Sequence, residues 1–171
     1  LWLAVFAGEI SLPTAFAPLD WHVHEMLFGY VGAVIAGFLL TAVPNWTGRL
    51  PIQGPRLAVL FSVWLAGRLA VSFSGTIGWA PSMAVDSLFL LFLAAAATRE
   101  IVAGGKWGNL KVVGIVILLA TANIAFHLEA HLSGMTAYSA RACIALGVTL
   151  IGVIGGRIVP SFTRNWLARQ G

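Results

Sequence analysis

Charge is scarce in this chain. Only 9% of the residues are Asp, Glu, Lys or Arg, whereas 59% are hydrophobic and the mean hydropathy is +0.91. An average soluble domain carries roughly 25% charged residues, so a water-soluble fold is excluded. Cysteine is scarcer still: Cys143 stands alone, allows no intramolecular disulfide and carries no information about redox compartment. Soluble domains, internal repeats and low-complexity segments are missing as well. The net charge of +4 and the pI of 10.0 do not point to nucleic acid, because the Lys and Arg residues fall between apolar runs instead of on one face of a soluble domain. The chain opens on Leu1 with no basic leader, which suggests a cut inside an apolar segment, with missing helices of a longer chain as further partners.

What the sequence does have is long apolar runs. A spanning helix needs about 20 mostly apolar residues, and five to six can be placed. Residues 1 to 17 form a Pro-interrupted first segment, followed by spans at 22 to 43, 56 to 75, 82 to 102, 111 to 132 and 137 to 159. Pro44-Asn45, Ser74-Gly75, Gly104-Gly105 and Ser133-Gly134 supply the breaks between them. The fold class is all-α, a polytopic transmembrane bundle with residues 1 to 171 as one domain.

Antiparallel threading gives each helix end a side. Arg49, Arg56, Arg99, Lys106, Lys111, Arg157, Arg164 and Arg169 collect on one side, and the connectors of the other hold no Lys or Arg. By the positive-inside bias the basic loops are cytoplasmic, in a bacterial inner membrane, and the opposite face is periplasmic.

All four histidines fall on that opposite side. His22 and His24 open the second segment, and His127 and His131 lie in the last turns of the span 111 to 132, in line with Asn123 at i, i+4 and i+8. Residues i and i+2 of a helix point about 200° apart, so one of the first pair turns inward. His22 is the expected one, since Glu25, Gly29, Ala33 and Gly37 continue its face as a groove of small residues. A single intramembrane His ordinarily closes an interhelical hydrogen bond. Four on one side, with Asp20, Glu25, Asp86 and Glu129 at similar depth, favour a metal or heme site instead.

Two arginines lie inside spans. Arg68 can pair with Asp86 on the next helix, or Arg68 and Arg141 can hold an anionic group such as a heme propionate. Gly152 and Gly156, four apart on the last span, suggest a close helix contact.

The run His22-Val-His24-Glu25-Met26-Leu-Phe28-Gly29, the stretch Ile35 to Arg49 with Gly37-Phe38 and Pro44-Asn45-Trp46-Thr47-Gly48, and the tail Gly155-Gly156-Arg157-Ile-Val-Pro160-Ser-Phe-Thr163-Arg164-Asn165 resemble the NnrS family from end to end. Membership implies a bacterial inner-membrane protein containing heme and copper and linked to nitric oxide and nitrosative stress. A more distant resemblance joins His22, Met26, Phe28, Gly37, Phe38, Val43 and Pro44 to the second helix of the heme-copper oxidase catalytic subunit. It implies an axial heme-ligand role for His22. The chain lacks that family's adjacent His-His pair and its HPExY sequence, so the oxidase copper site does not carry over.

The resulting expectation is a heme-binding, and further copper-binding, membrane protein with His22, His24, His127 and His131 as metal ligands, and Glu25, Arg68 and Arg141 around the cofactor. Membrane lipids and nitric oxide or another small diatomic are the expected partners; whether it catalyses a reaction stays open. A transporter or proton and anion relay using the same His/Asp/Glu/Arg cluster without heme is the alternative. A structural subunit with a hydrogen-bond network in that place is a third.

Overall fold

Five helices of the computed structural model, which describes residues 1–170, are long and apolar enough to cross a membrane: Pro18–Thr47, Pro55–Ser72, Trp79–Ala103, Trp107–Ser133 and Ala137–Gln170. No strand occurs among the described residues. The chain is an all-α, multi-pass membrane bundle. In order, α1 is Trp2–Phe6, α2 Pro18–His24, α3 Val31–Thr47, α4 Pro55–Ser72, α5 Ser74–Ile77, α6 Trp79–Ala103, α7 Leu110–Ser133 and α8 Ala137–Gln170. A π turn, Glu25–Tyr30, joins α2 and α3 into the first span, and a 3₁₀ turn at Trp107–Asn109 leads into α7.

Several boundaries differ from the sequence expectation, each for a local reason. Residues 1 to 17 do not make a long helix: α1 ends after Phe6, and Gly8 at φ 77° turns the backbone out of the helical region. The irregular stretch that follows is strapped across the bundle. Thr14 Oγ1 donates to the Val71 carbonyl at 3.0 Å, the Ala15 amide to Ser74 Oγ at 2.9 Å and the Gly75 amide to the Pro13 carbonyl at 2.9 Å. A Cβ on Gly75 would stand 2.9 Å from that carbonyl, so the strap needs glycine there. The first span begins at Pro18, not His22, because proline at the first helical position lacks only an amide that would be unpaired anyway. Pro44 lies inside α3, whose end comes at Thr47, where Gly48 at φ 70° returns its amide to the Pro44 carbonyl. The last helix runs on past 159 through Pro160 to Gln170. Its 34 residues reach about 51 Å at 1.5 Å per residue, well beyond a hydrocarbon layer of about 30 Å.

The middle of the bundle is α6, against which α3, α4 and α7 pack, with α8 outside on α7. Asp86, Leu90, Leu93, Ala97 and Ile101 recur at helical spacing on its buried face. Facing them on α7 are Val112, Val116, Leu119, Asn123 and Phe126, all buried. In contrast α8 buries only Ser139, Cys143 and Leu150. Gly152 and Gly156, expected at a close contact, face open space.

Candidate metal centre

Two turns into the first span, the backbone widens from α to π. Across it the buried face keeps the α-like spacing of three and four, running Trp21, His24, Phe28, Gly32 and Ile35. His24, fully enclosed at 0% exposure, points into the bundle. His22 does not: half-buried, it lies flat on the Trp2 indole with ring centroids 4.1 Å apart and planes 6° from parallel. The inward expectation for His22 is thus corrected by the phase of the helix face.

Asp86 on α6 is the hub of what His24 meets. One carboxylate oxygen, Oδ1, takes the Arg68 guanidinium from α4. The other, Oδ2, accepts from Asn123 Nδ2 at 2.7 Å and lies 3.2 Å from both His24 Nε2 and His127 Nε2. His24 Nε2 is also 2.9 Å from Asn123 Oδ1. The second arm of Arg68 donates to Glu25 Oε1 at 2.7 Å, and that same oxygen is 3.5 Å from His24 Nδ1. Two glycines make the convergence possible. A Cβ on Gly67 would come 3.0 Å from Asp86 Oδ1, and one on Gly29 would come 2.8 Å from Arg68 Nη1. The Gly29 carbonyl, inside the π turn, accepts from the Trp64 indole N–H at 3.1 Å.

With neutral imidazoles, two carboxylates against one guanidinium leave a negative charge over. An unbalanced charge in a low-dielectric interior is costly and calls for a cation. His24, Asp86 and His127 each offer one ligand atom, and these atoms lie within 4.8 Å of one another. Two imidazoles and a carboxylate from three helices are donors of the kind that first-row transition metals such as copper, zinc or iron accept. His24 Nδ1 is buried with no hydrogen-bond partner, an orphan that a change of tautomer on metal binding would serve by donating to Glu25.

The cluster is closed by aromatic rings. Phe16 from the strap, Phe28 and Phe126 lie with centroids 5.4, 5.1 and 5.2 Å from His24. With His24 fully enclosed, a flat macrocycle finds no open face on it. Just outside, a cleft of about 250 Å³ is lined by Phe16, Ser74, Trp79, His127 and His131.

The remaining expected residues are dispersed. His131 is exposed and stacks on Trp79 at 4.2 Å. Arg141 is exposed on α8 and makes no ion pair among the described residues. Asp20 accepts from Thr136 Oγ1 at 2.5 Å, and Glu129 takes the Tyr138 and Ser139 amides at 2.9 and 2.8 Å, so both carboxylates fasten the start of α8 and neither bonds an imidazole. Arg68 does pair with Asp86. Phe16 escaped the sequence reading because only the strap's tertiary hydrogen bonds bring it here. The spacing of Trp21, His24 and Phe28 at i, i+3 and i+7 is the signal that could have identified His24.

Comparison with curated proteins and with solved structures returns no match. The family model described as NnrS protein matches residues 1–171, the full length of the chain. With its helices and its buried His/Asp/His cluster, the chain belongs to the NnrS family.

Proposed function

We propose that this protein is an inner-membrane metal-binding protein of the nitric oxide response, holding a metal ion, copper by preference, between His24, Asp86 and His127 near the periplasmic face. The observation that carries the reading is the convergence of these three ligand atoms within 4.8 Å around a net negative charge. Divalent affinities peak at copper for such nitrogen and oxygen ligands. A metal bound there supplies a centre to which a small diatomic can attach.

The chain's own residues do the rest. Arg68 and Asn123 fix the Asp86 carboxylate, Glu25 stands ready to accept from His24 Nδ1, and the three phenylalanines keep bulk water away. Nitric oxide is small and apolar enough to reach such an enclosure through the bilayer. The placement of the site at the periplasmic end rests on the basic residues of the opposite loops. For heme, which the resemblance implies, His22 and His131 are the imidazoles left outside the buried cluster, each stacked on an indole.

The test is metal analysis with optical spectra of the full-length protein, purified from membranes supplied with copper and heme. Wild type should hold the metal and change its spectrum with nitric oxide, while His24→Ala and His127→Ala lose the ion. Retention of the ion by both variants overturns the assignment. A second reading, a proton relay, is favoured by the line of titratable groups Glu25, His24, Asp86 and His127; a metal-free protein that takes up protons would establish it.

A further inference from the structure

At the opposite end of the bundle, three arginines gather where α4 begins and α6 ends. Arg49 is paired with Glu100, its Nε 2.6 Å from Oε2. Arg56, in the first turn of α4, and Arg99, in the last turns of α6, have no carboxylate partner among the described residues. Both line an open polar cavity of about 730 Å³ together with Gly48, Pro51 and Gln53. Both also line the head of a second, apolar groove of about 230 Å³, which continues along α4 and α6 over Val59, Leu60, Phe92 and Ala96. Ile52, Arg56, Arg99 and Glu100 are common to the two, so polar head and apolar groove are continuous. Val59 and Phe92 are 58% and 44% exposed, on a surface that faces the hydrocarbon.

A pair of unpaired guanidiniums directly above an apolar groove has the profile of one ligand class. Guanidinium matches phosphate oxygens in geometry and charge, and basic pockets between spanning helices receive anionic lipid headgroups. A free phosphate or nucleotide would use the cavity and leave the groove bare. We propose that this end of the bundle is a binding site for an anionic phospholipid, with the phosphate between Arg56 and Arg99 and an acyl chain along Val59, Phe92 and Ala96. Glu100 does not oppose it, being neutralised by Arg49.

Phosphatidylglycerol is the probe, titrated onto the full-length protein in phosphatidylcholine nanodiscs and read as bound lipid by native mass spectrometry. Wild type should retain phosphatidylglycerol over phosphatidylcholine. The Arg56→Ala/Arg99→Ala variant should bind it roughly 25-fold more weakly, about fivefold per arginine. An equal charge removal on the exposed tail, Arg164→Ala/Arg169→Ala, should leave binding unchanged. Ala96→Trp, which fills the groove and keeps the arginines, should also lose the lipid. Circular dichroism on each variant establishes that the helices persist. Equal loss in both arginine pairs would reduce the effect to general surface charge and overturn the site. Unchanged binding in Ala96→Trp, or displacement by millimolar inorganic phosphate alone, would overturn the lipid in favour of a soluble anion.

Discussion

Arg68 occupies one oxygen of Asp86 and thereby leaves the other to the imidazoles. The guanidinium sits on Oδ1, while Oδ2 lies 3.2 Å from His24 Nε2 and from His127 Nε2. A carboxylate free to rotate would offer the imidazoles either oxygen. Fixed as it is, Asp86 presents a single oxygen at the place where three helices meet. Arg68→Lys keeps the charge but cannot bridge Asp86 and Glu25 in the same two-armed way. It should weaken metal binding roughly 10- to 100-fold, as loss of a ligand-orienting partner does, with helix content unchanged in circular dichroism.

Asp86→Asn removes the charge itself. The Arg68 guanidinium, 11% exposed, then keeps only Glu25 as a counter-ion. Removing one partner of a buried pair costs about 3 to 5 kcal/mol, so unfolding in detergent should shift to markedly lower temperature. Metal content should fall together with stability. A variant as stable as wild type would show that Asp86 is not the electrostatic hub.

The two glycines of the expected small-residue groove should behave differently. Gly29→Ala would put a methyl group 2.8 Å from Arg68 Nη1, whereas Gly37 has nothing within 4 Å of the same position. Displacing the guanidinium in a packed interior costs about 1 to 3 kcal/mol, and Gly37→Ala should stay within about 0.5 kcal/mol of wild type. Thermal unfolding of the two variants side by side measures the contrast.

These glycines also mark what could be read from sequence. The spans were legible because a run of apolar residues long enough to cross a bilayer has few other solutions, and the pairing of Arg68 with Asp86 was legible because a charge at that depth needs a partner. The inward histidine was not. From His22 an α period continues through Glu25, Gly29 and Ala33, but an equally regular one runs through Trp21, His24, Phe28, Gly32 and Ile35, and the bundle buries this second face. Periodicity offers both faces, and only the large apolar Trp21 and Phe28 on the second one tell them apart. Asn123 stood out as part of a polar stripe, yet its role depends on Asp86 reaching it from another helix. The stripe itself divides, since Asn123 and His127 are buried and His131 is exposed.

The histidine pair separates the metal cluster from any heme. His24→Ala removes a ligand of the buried cluster and should abolish the bound ion. His22→Ala takes away only the stack on Trp2, a contact of about 0.5 to 1.5 kcal/mol, and should leave that ion in place. If His22 is the axial heme ligand that the resemblance implies, the same variant loses or shifts the Soret band. Metal stoichiometry and the visible spectrum, recorded on both variants, therefore report on two sites independently.

The strap is the last element to probe. Phe16 is 8% exposed and its ring lies 5.2 Å from His127 and 5.4 Å from His24, held there through Thr14 on Val71 and Ala15 on Ser74. It lines the cleft beside Trp79 and His131, to which His127 also contributes. Phe16→Ala would widen this cleft towards His24 and admit water to the carboxylate and imidazoles. Phe to Ala in a core costs about 3 to 5 kcal/mol, and a strap ring backed by a cleft should cost less, since part of the space it leaves is already open. The sharper readout is kinetic. A water-soluble chelator should strip the metal from the variant much faster than from wild type, whereas Phe162→Ala, an exposed position on α8, should not change the rate. Equal stripping rates for Phe16→Ala and wild type would mean that the ion leaves by another path and that the strap does not cover the site.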